Sequence, residues 1–245
     1  MHATKGNGKL VREIGVFDLL VMPLIICRGA AWCFGRCFAI KQQNTHPEVL
    51  LARLDNLEET LRPDFVDRMV QWILASGVEV MSFNHAGDFW GQKYVNDCAE
   101  IARRLPHKRF FGYTKSLDLD LSPLLNSDNL VLIKSEGGKW DDKIIRETDN
   151  YSRIIHDING KAPDEWLCPD KGRKKPEAKK VCGKTCTYCM EGGHQVRVVF
   201  FEKKKGWNGH RLFLKPAKMS NEIADRIRAA TRKIVQLNAQ TSSQP

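Results

Sequence analysis

The strongest constraint on the fold is an alternation of short apolar runs with longer segments whose apolar residues recur at helical spacing. Such spacing predicts helices at residues 47–61, 65–75 and 94–105. Six apolar runs predict strands at residues 14–20, 78–83, 109–113, 130–134, 153–156 and 196–201. Strands separated by helices predict parallel βαβ units with right-handed crossovers. We therefore predict an α/β fold, specifically a partial (βα)6 barrel of the TIM type.

The region at residues 161–193 departs from this alternation, because it is rich in Lys, Pro, Gly and Cys and poor in apolar residues. It predicts a cysteine-rich, metal-binding insertion. Residues 1–160 would then form the partial barrel, and residues 194–245 the last strand and a C-terminal helix. Ser220 is a candidate N-cap for that helix. The apolar face of the helix consists of Ile223, Ile227, Ala230 and Ile234.

The charge of the chain favours polyanionic partners. The net charge is +10 and the pI about 9.2, which predicts attraction to nucleic acids, nucleotides or acidic membranes. The long apolar stretch at residues 14–26 is too short to cross a bilayer and is interrupted by Asp18 and Pro23. Ile25 and Ile26 stand where signal-peptide cleavage needs small residues. We expect a nucleic acid or nucleotide partner and no membrane association.

Eight cysteines in a chain without an export signal predict metal ligation rather than disulfides, because the cytoplasm keeps thiols reduced. A cytoplasmic location follows from the same reasoning. Cys98 is the exception, because it shares the apolar face of a predicted helix and is expected to pack in the core.

The first cysteine group, Cys27-x5-Cys33-x3-Cys37, offers three thiolates, one fewer than a closed structural site requires. In a 4Fe-4S cluster held by three thiolates, the fourth iron is open to a substrate or cofactor. The alternative is a zinc site with three cysteines and one histidine, completed by His46 or His85.

The second cysteine group offers four thiolates, enough for a closed tetrahedral zinc or a fully ligated 4Fe-4S cluster. Its members are Cys168, Cys182, Cys186 and Cys189. The spacing leaves both metals open. Lysines and arginines crowd the same insertion, and Lys203–Lys205 follow the last predicted strand. They predict either a phosphate-binding patch or a solvated loop.

Loops at the carboxyl ends of parallel strands usually carry the chemistry of such a fold. Gly87 and Asp88 follow the second predicted strand, and Lys115 and Ser116 follow the third. We expect these loops to meet the first cysteine group at one rim. Asp88 could instead simply cap the next helix.

The three-cysteine loop after the first strand, with Phe38 directly after Cys37, resembles the radical SAM enzymes. In that family the free iron of the cluster binds S-adenosylmethionine (SAM), and electron transfer cleaves SAM to a deoxyadenosyl radical. Ala86-Gly87-Asp88 stands where the family has a Gly-Gly-Glu-like turn that binds the SAM amino group. The spacing of the loop is longer than the common C-x3-C-x2-C of that family. The resemblance implies SAM-binding roles for Gly87, Asp88, Tyr113, Lys115, Ser116, Lys134 and Ser135.

Most of the chain also resembles a phage and plasmid family called gene product 88. The resemblance rests on Cys27-Arg28-Gly29-Ala30, Cys33, Cys37-Phe38-Ala39, Gly87-Asp88-Phe89, Tyr113-Thr114-Lys115-Ser116 and the late cysteines. It bears on the fold and the sites rather than on a reaction. A phage-encoded chain would act in the host cytoplasm.

Three functions are compatible with these patterns. The leading hypothesis is a radical SAM-like enzyme that takes electrons from a donor and acts on a nucleotide or nucleic-acid base. The second is a non-catalytic nucleic-acid-binding protein with structural zinc or iron-sulfur sites. The third is a degenerate barrel that keeps a cluster as a redox sensor or scaffold.

Overall fold

The computed structural model describes residues 1–7, 10–33, 37–169, 182–201 and 219–241. Its centre is one sheet in the order β1-β2-β3-β4-β5-β6-β8-β7, in which every neighbouring pair is parallel except β1 with β2. The strands are β1 Thr4–Lys5, β2 Ile14–Phe17, β3 Val80–Phe83, β4 Arg109–Thr114, β5 Leu130–Ser135, β6 Tyr151–Ile155, β7 Trp166–Leu167 and β8 Arg197–Phe201.

The α-helices in the described residues are α1 Phe38–Thr45, α2 Pro47–Thr60, α3 Phe65–Ser76, α4 Gln92–Arg104, α5 Ser122–Leu125 and α6 Asn221–Thr241. Short 3-10 helices occupy Asp141–Lys143 and Ile158–Gly160. Over these same parts of the chain, no helix combines the length and apolar character needed to cross a bilayer.

The six strands predicted from sequence are all present, but the TIM-type barrel is not, because the sheet is open. A barrel closes only when its two outer strands pair with each other. Here β1 and β7 are the two ends of the strand order and pair only with β2 and β8. The repeat of strand and helix is also incomplete, since a 3-10 helix is the only helix between β5 and β6.

The helices cover one face of the sheet. Phe17, Met81, Phe83 and Phe110 of the strands pack in one core with residues of α2, α3, α4 and α6. Cys98 on α4 is fully buried in this core, which confirms that it is a packing residue.

The C-terminal helix packs on the same core as predicted. Ala230 and Ile234 are buried, and Ile223 and Ile227 pack against the cluster. The hydroxyl of Ser220 accepts a hydrogen bond from the Ile223 N–H at 3.3 Å, which confirms the predicted N-cap.

Among the described residues, the other face of the sheet is covered by the cysteine-rich segment rather than by helices. A second core joins strand residues such as Val16, Phe111 and Ile133 to Cys168 and Met190. Cys182, Tyr188 and Cys189 pack against it. Most of the predicted basic patch, residues 171–180 and 203–205, lies outside the described residues; its remaining member, Lys184, is described and exposed.

Candidate functional site

The first cysteine loop connects β2 to α1. Cys27 and Cys37 pack against one small apolar cluster that includes Val21, Ile40 and Ala86. Because Ala86 belongs to the loop after β3, this cluster places the cysteines next to Gly87 and Asp88, as the sequence predicted.

Glycines let the cysteine loop lie directly on the loop after β4. A Cβ added to Gly29 would stand 1.8 Å from the carbonyl oxygen of Lys115, so only glycine fits. The Gly29 carbonyl accepts a hydrogen bond from the Lys139 N–H at 3.0 Å, and Ala30 bridges to Gly138. The loops that follow β2, β4 and β5 therefore meet at the carboxyl edge of the sheet.

The carboxylate of Asp88 is buried and held by three donors. Its Oδ1 accepts hydrogen bonds from the Phe89 N–H at 2.8 Å and the Thr114 hydroxyl at 2.7 Å, and its Oδ2 accepts one from the Lys115 N–H at 2.9 Å. Burial raises the pKa of the Asp88 carboxyl, and these hydrogen bonds oppose that effect. Because α4 has Gly91 at its N-cap, the alternative role of Asp88 as a helix cap is wrong.

The ammonium of Lys115 is tied to the end of β5. Its Nζ donates to the carbonyl oxygens of Ser135, at 3.1 Å, and of Glu136. Burial lowers the pKa of Lys115, while the negative charges of Cys33 and Asp88 act to raise it. This lysine is therefore a cation close to both the Cys33 thiol and the buried carboxylate of Asp88.

The three thiols of the first group lie close enough to influence one another electrostatically. Burial raises the pKa of Cys27 well above that of a free thiol, and the charges of Asp88, Cys37 and Cys33 add to the effect. Burial also raises the pKa of Cys33, against the opposing charge of Lys115. Burial therefore disfavours the thiolate form of Cys27 and of Cys33.

The chemistry of this donor set fits a thiophilic metal or an iron-sulfur cluster, because three soft sulfur donors share one loop. Their positions do not define a coordination sphere. In the part of the chain that the structure describes, no group of three or more His, Cys, Asp or Glu side chains is arranged to hold a metal ion. All eight cysteines lie in that part, and none forms a disulfide.

The two histidines considered as zinc ligands have other contacts. His46 lies between α1 and α2 with its Nδ1 at 3.3 Å from the Glu48 carboxylate. The ring of His85 lies edge-on to that of Phe38, with 6.1 Å between the centroids. His85 is thus the one beside the cysteine loop, since Phe38 follows Cys37.

Gly87 and Ser116 lie at the same edge. Gly87 has a φ of +84°, and a Cβ there would stand 2.7 Å from the Cβ of Leu19. Ser116 is fully buried, and its hydroxyl is without a hydrogen-bond partner among the described residues. A buried orphan hydroxyl of this kind is satisfied in solution by water or a ligand.

Three other residues with predicted SAM-binding roles have side chains engaged elsewhere. Lys134 forms an ion pair with Asp149 at 2.7 Å, and the Ser135 hydroxyl lies 3.0 Å from that of Ser152. Tyr113 points to the opposite face of the sheet. The structure therefore brings Gly87, Asp88, Lys115 and Ser116 to the cysteine loop, but not the side chains of these three.

Tyr113 contacts the second cysteine group. Tyr113 and Cys189 pack against the same core, and burial together with the charges of Cys189, Cys168 and Cys182 raises the pKa of the Tyr113 phenol well above its ordinary value. Since Thr114 bonds to Asp88, two consecutive residues at the end of β4 reach the second cysteine group and the carboxylate beside the first.

Each of the two cysteine groups contains a backbone turn of the same kind. Leu24 and Gly183 both have left-handed φ angles, of 69° and 87°. Their N–H groups donate to the carbonyl oxygens of Cys27 at 3.0 Å and Cys186 at 2.9 Å. In the second group both residues that the turn pairs, Cys182 and Cys186, are cysteines.

Two exposed rings lie beside the first cysteine group; sequence reasoning used Phe38 for the family resemblance but did not single out Trp32. Trp32, directly before Cys33, is 45% exposed, and Phe38 is 61% exposed. The ring of Trp32 lies edge-on to that of His156, with 6.3 Å between the centroids. Their positions next to candidate metal-binding cysteines, in a loop between a strand and a helix, were a usable signal.

A family model described as Gene product 88 matches residues 2–211, a range that includes both cysteine groups. No curated protein and no solved structure matches the chain. Because the matched range covers most of the 245 residues, the chain belongs to the gene product 88 family.

Proposed function

We propose that this protein is a radical SAM-like iron-sulfur enzyme in which Cys27, Cys33 and Cys37 hold a 4Fe-4S cluster. The observation that supports this most is the place of these thiols. They lie on one loop at the carboxyl edge of a parallel sheet, where the loops after β3 and β4 contribute a buried carboxylate and a lysine. Carboxyl edges of this kind are the usual position of catalytic groups in α/β folds.

The strand order supports a relation to the partial barrel. Strands β2, β3, β4, β5, β6 and β8 are parallel neighbours in the order expected for a partial (βα)6 barrel. We propose that the sheet is a reduced form of it, in which the cysteine-rich segment occupies the face that would line the barrel interior.

In this proposal a cluster held by Cys27, Cys33 and Cys37 would supply the electron for cleavage of SAM to methionine and a deoxyadenosyl radical. The chain itself binds and orients SAM. Asp88 has three protein donors and one remaining acceptor position on Oδ2, which suits the SAM ammonium. Lys115 has the right charge for the SAM carboxylate, and the Ser116 hydroxyl is a further polar contact.

At the second group we propose either zinc or a second 4Fe-4S cluster held by Cys168, Cys182, Cys186 and Cys189. Its support is the packing of Cys168, Cys182 and Cys189 over the sheet face opposite the helices, where a metal would stabilise the segment. An enzyme of this type also requires an external electron donor.

The test is anaerobic reconstitution with iron and sulfide, followed by reduction and measurement of deoxyadenosine formed from SAM. We expect product from the wild type and from Cys98→Ala, because Cys98 is a core residue outside both groups. Cys27→Ser should abolish the product. A fully loaded cluster that yields no deoxyadenosine would reject the enzyme.

The second function, a non-catalytic nucleic-acid-binding protein, gives a different result in the same preparation. Protein purified without oxygen would contain tight zinc in both groups and no iron. It would also bind DNA or RNA with an affinity that falls steeply with salt. Zinc in both groups would therefore favour the second function, and deoxyadenosine formed by iron-loaded protein would favour the enzyme.

A further inference from the structure

We propose that Trp32 is a stacking platform for a nucleobase, placed beside the first cysteine group. This inference deepens the proposed function, because it names the substrate class of the same site as a nucleotide or single-stranded nucleic acid. It rests on the exposed ring, on the turn that supports it and on the surrounding charges.

The ring of Trp32 is held in place while much of its surface stays open. The turn at Gly137 lies against it, since a Cβ added there would stand 3.2 Å from Cε3 of the indole. The ring of His156 lies edge-on to it, and 45% of the residue remains exposed. A fixed aromatic plane with an accessible surface is what base stacking requires.

The turn at Gly137, which supports the Trp32 ring, is held by its own hydrogen bonds. The carboxylate of Asp141 accepts hydrogen bonds from the N–H groups of Gly137 and Gly138, both at 2.8 Å. Cys33, the neighbour of Trp32, donates its N–H to the Gly137 carbonyl at 3.4 Å. The platform is therefore pre-organised, which lowers the entropy cost of binding.

The charges around the turn favour an anion. Glu136 is paired with Arg146, and Asp141 is engaged with the turn itself. Lys139, on the same turn, has an exposed side chain, and Lys115 lies beneath. Together with the net charge of +10, these groups suit a planar base that carries phosphate.

The chain offers a matched control, because Trp166 is exposed to nearly the same degree, 47%, and lies on β7 at the far edge of the sheet. Binding of the metal-free full chain to fluorescent oligothymidylate, thymidine monophosphate and inorganic polyphosphate would be compared for the wild type, Trp32→Ala, Trp32→Phe and Trp166→Ala.

We expect Trp32→Ala to weaken oligothymidylate binding by roughly 5- to 140-fold, which corresponds to about 1–3 kcal/mol of stacking at 1.4 kcal/mol per factor of ten. Trp32→Phe should keep most of the affinity, and Trp166→Ala all of it. Polyphosphate, which has no base, should bind the four proteins equally. If Trp32→Ala weakens thymidine monophosphate binding as much as oligothymidylate binding, the natural source of the base is a free nucleotide. If only oligothymidylate binding is weakened, the source is a single strand.

Equal oligothymidylate affinity in the wild type and Trp32→Ala would overturn the proposal, as would an equal loss of polyphosphate binding in Trp32→Ala. Circular dichroism of each variant excludes unfolding as the cause. The assay contains neither metal nor SAM, so its outcome is independent of whether SAM is cleaved.

Discussion

Replacing Asp88 tests whether the buried carboxylate organises the carboxyl edge of the sheet. Asp88→Ala leaves the Phe89 N–H, the Thr114 hydroxyl and the Lys115 N–H without their acceptor. An unsatisfied buried donor costs about 1–3 kcal/mol, and water entering the space recovers part of it, so we expect a loss of about 3–6 kcal/mol. Asp88→Asn keeps one oxygen acceptor but turns an NH2 group toward one donor. We expect it to lose about 1–3 kcal/mol.

The assay is urea unfolding of the metal-free protein, followed by circular dichroism so that metal binding does not contribute to the free energy. Asp142→Ala is the control. Asp142 is exposed, and its substitution should stay within about 0.5 kcal/mol of the wild type. The reasoning is refuted if Asp88→Ala unfolds within about 1 kcal/mol of the wild type, or if Asp88→Asn costs as much as Asp88→Ala.

Three further predictions concern stability, pH and metal content. Gly29→Ala should destabilise the protein by more than about 2 kcal/mol through overlap with the Lys115 carbonyl, whereas Gly160→Ala, whose Cβ meets nothing within 4 Å, should leave the melting temperature unchanged. Burial acts to raise the pKa of Glu165, but hydrogen bonds led by that from a neighbouring arginine lower it to about 2. The stability it contributes should be fully present above its unfolded pKa of about 4.3 and be lost as the pH falls toward 2, so the unfolding free energies of the wild type and Glu165→Gln should converge there. Cys27→Ser should remove the metal of the first group and leave that of the second, as metal analysis of reconstituted protein would show; equal loss from both groups would contradict separate sites.

The sequence was sufficient for the strands and helices that are buried and periodic. All six predicted strands and the C-terminal helix with its Ser220 cap are present, because apolar periodicity directly reflects burial. The edge strands β1 and β7 are two residues long and leave no periodic signal. The sequence could not show that the sheet is open, because closure into a barrel depends on which strands pair and not on local sequence pattern.

The candidate site was predictable where it depends on strand ends and less so where it depends on side-chain direction. Asp88 and Lys115 follow strands and meet as expected. Tyr113 was assigned to the same site, although strand alternation places it on the face of Phe111, toward the second cysteine group. The ion pair between Lys134 and Asp149 joins residues far apart in sequence, so no local sequence pattern predicts it.

The last residues of β4 have a consequence for how such a chain can vary. Tyr113 packs with the second cysteine group, and Thr114 on the opposite face holds Asp88, which lies beside the first. Deleting or inserting a single residue in this strand would exchange the two faces and disturb both groups at once. We therefore expect related chains to have no insertions or deletions in β4 and to have them in the connecting segments instead. Each cysteine group should vary by substitutions within its own loop.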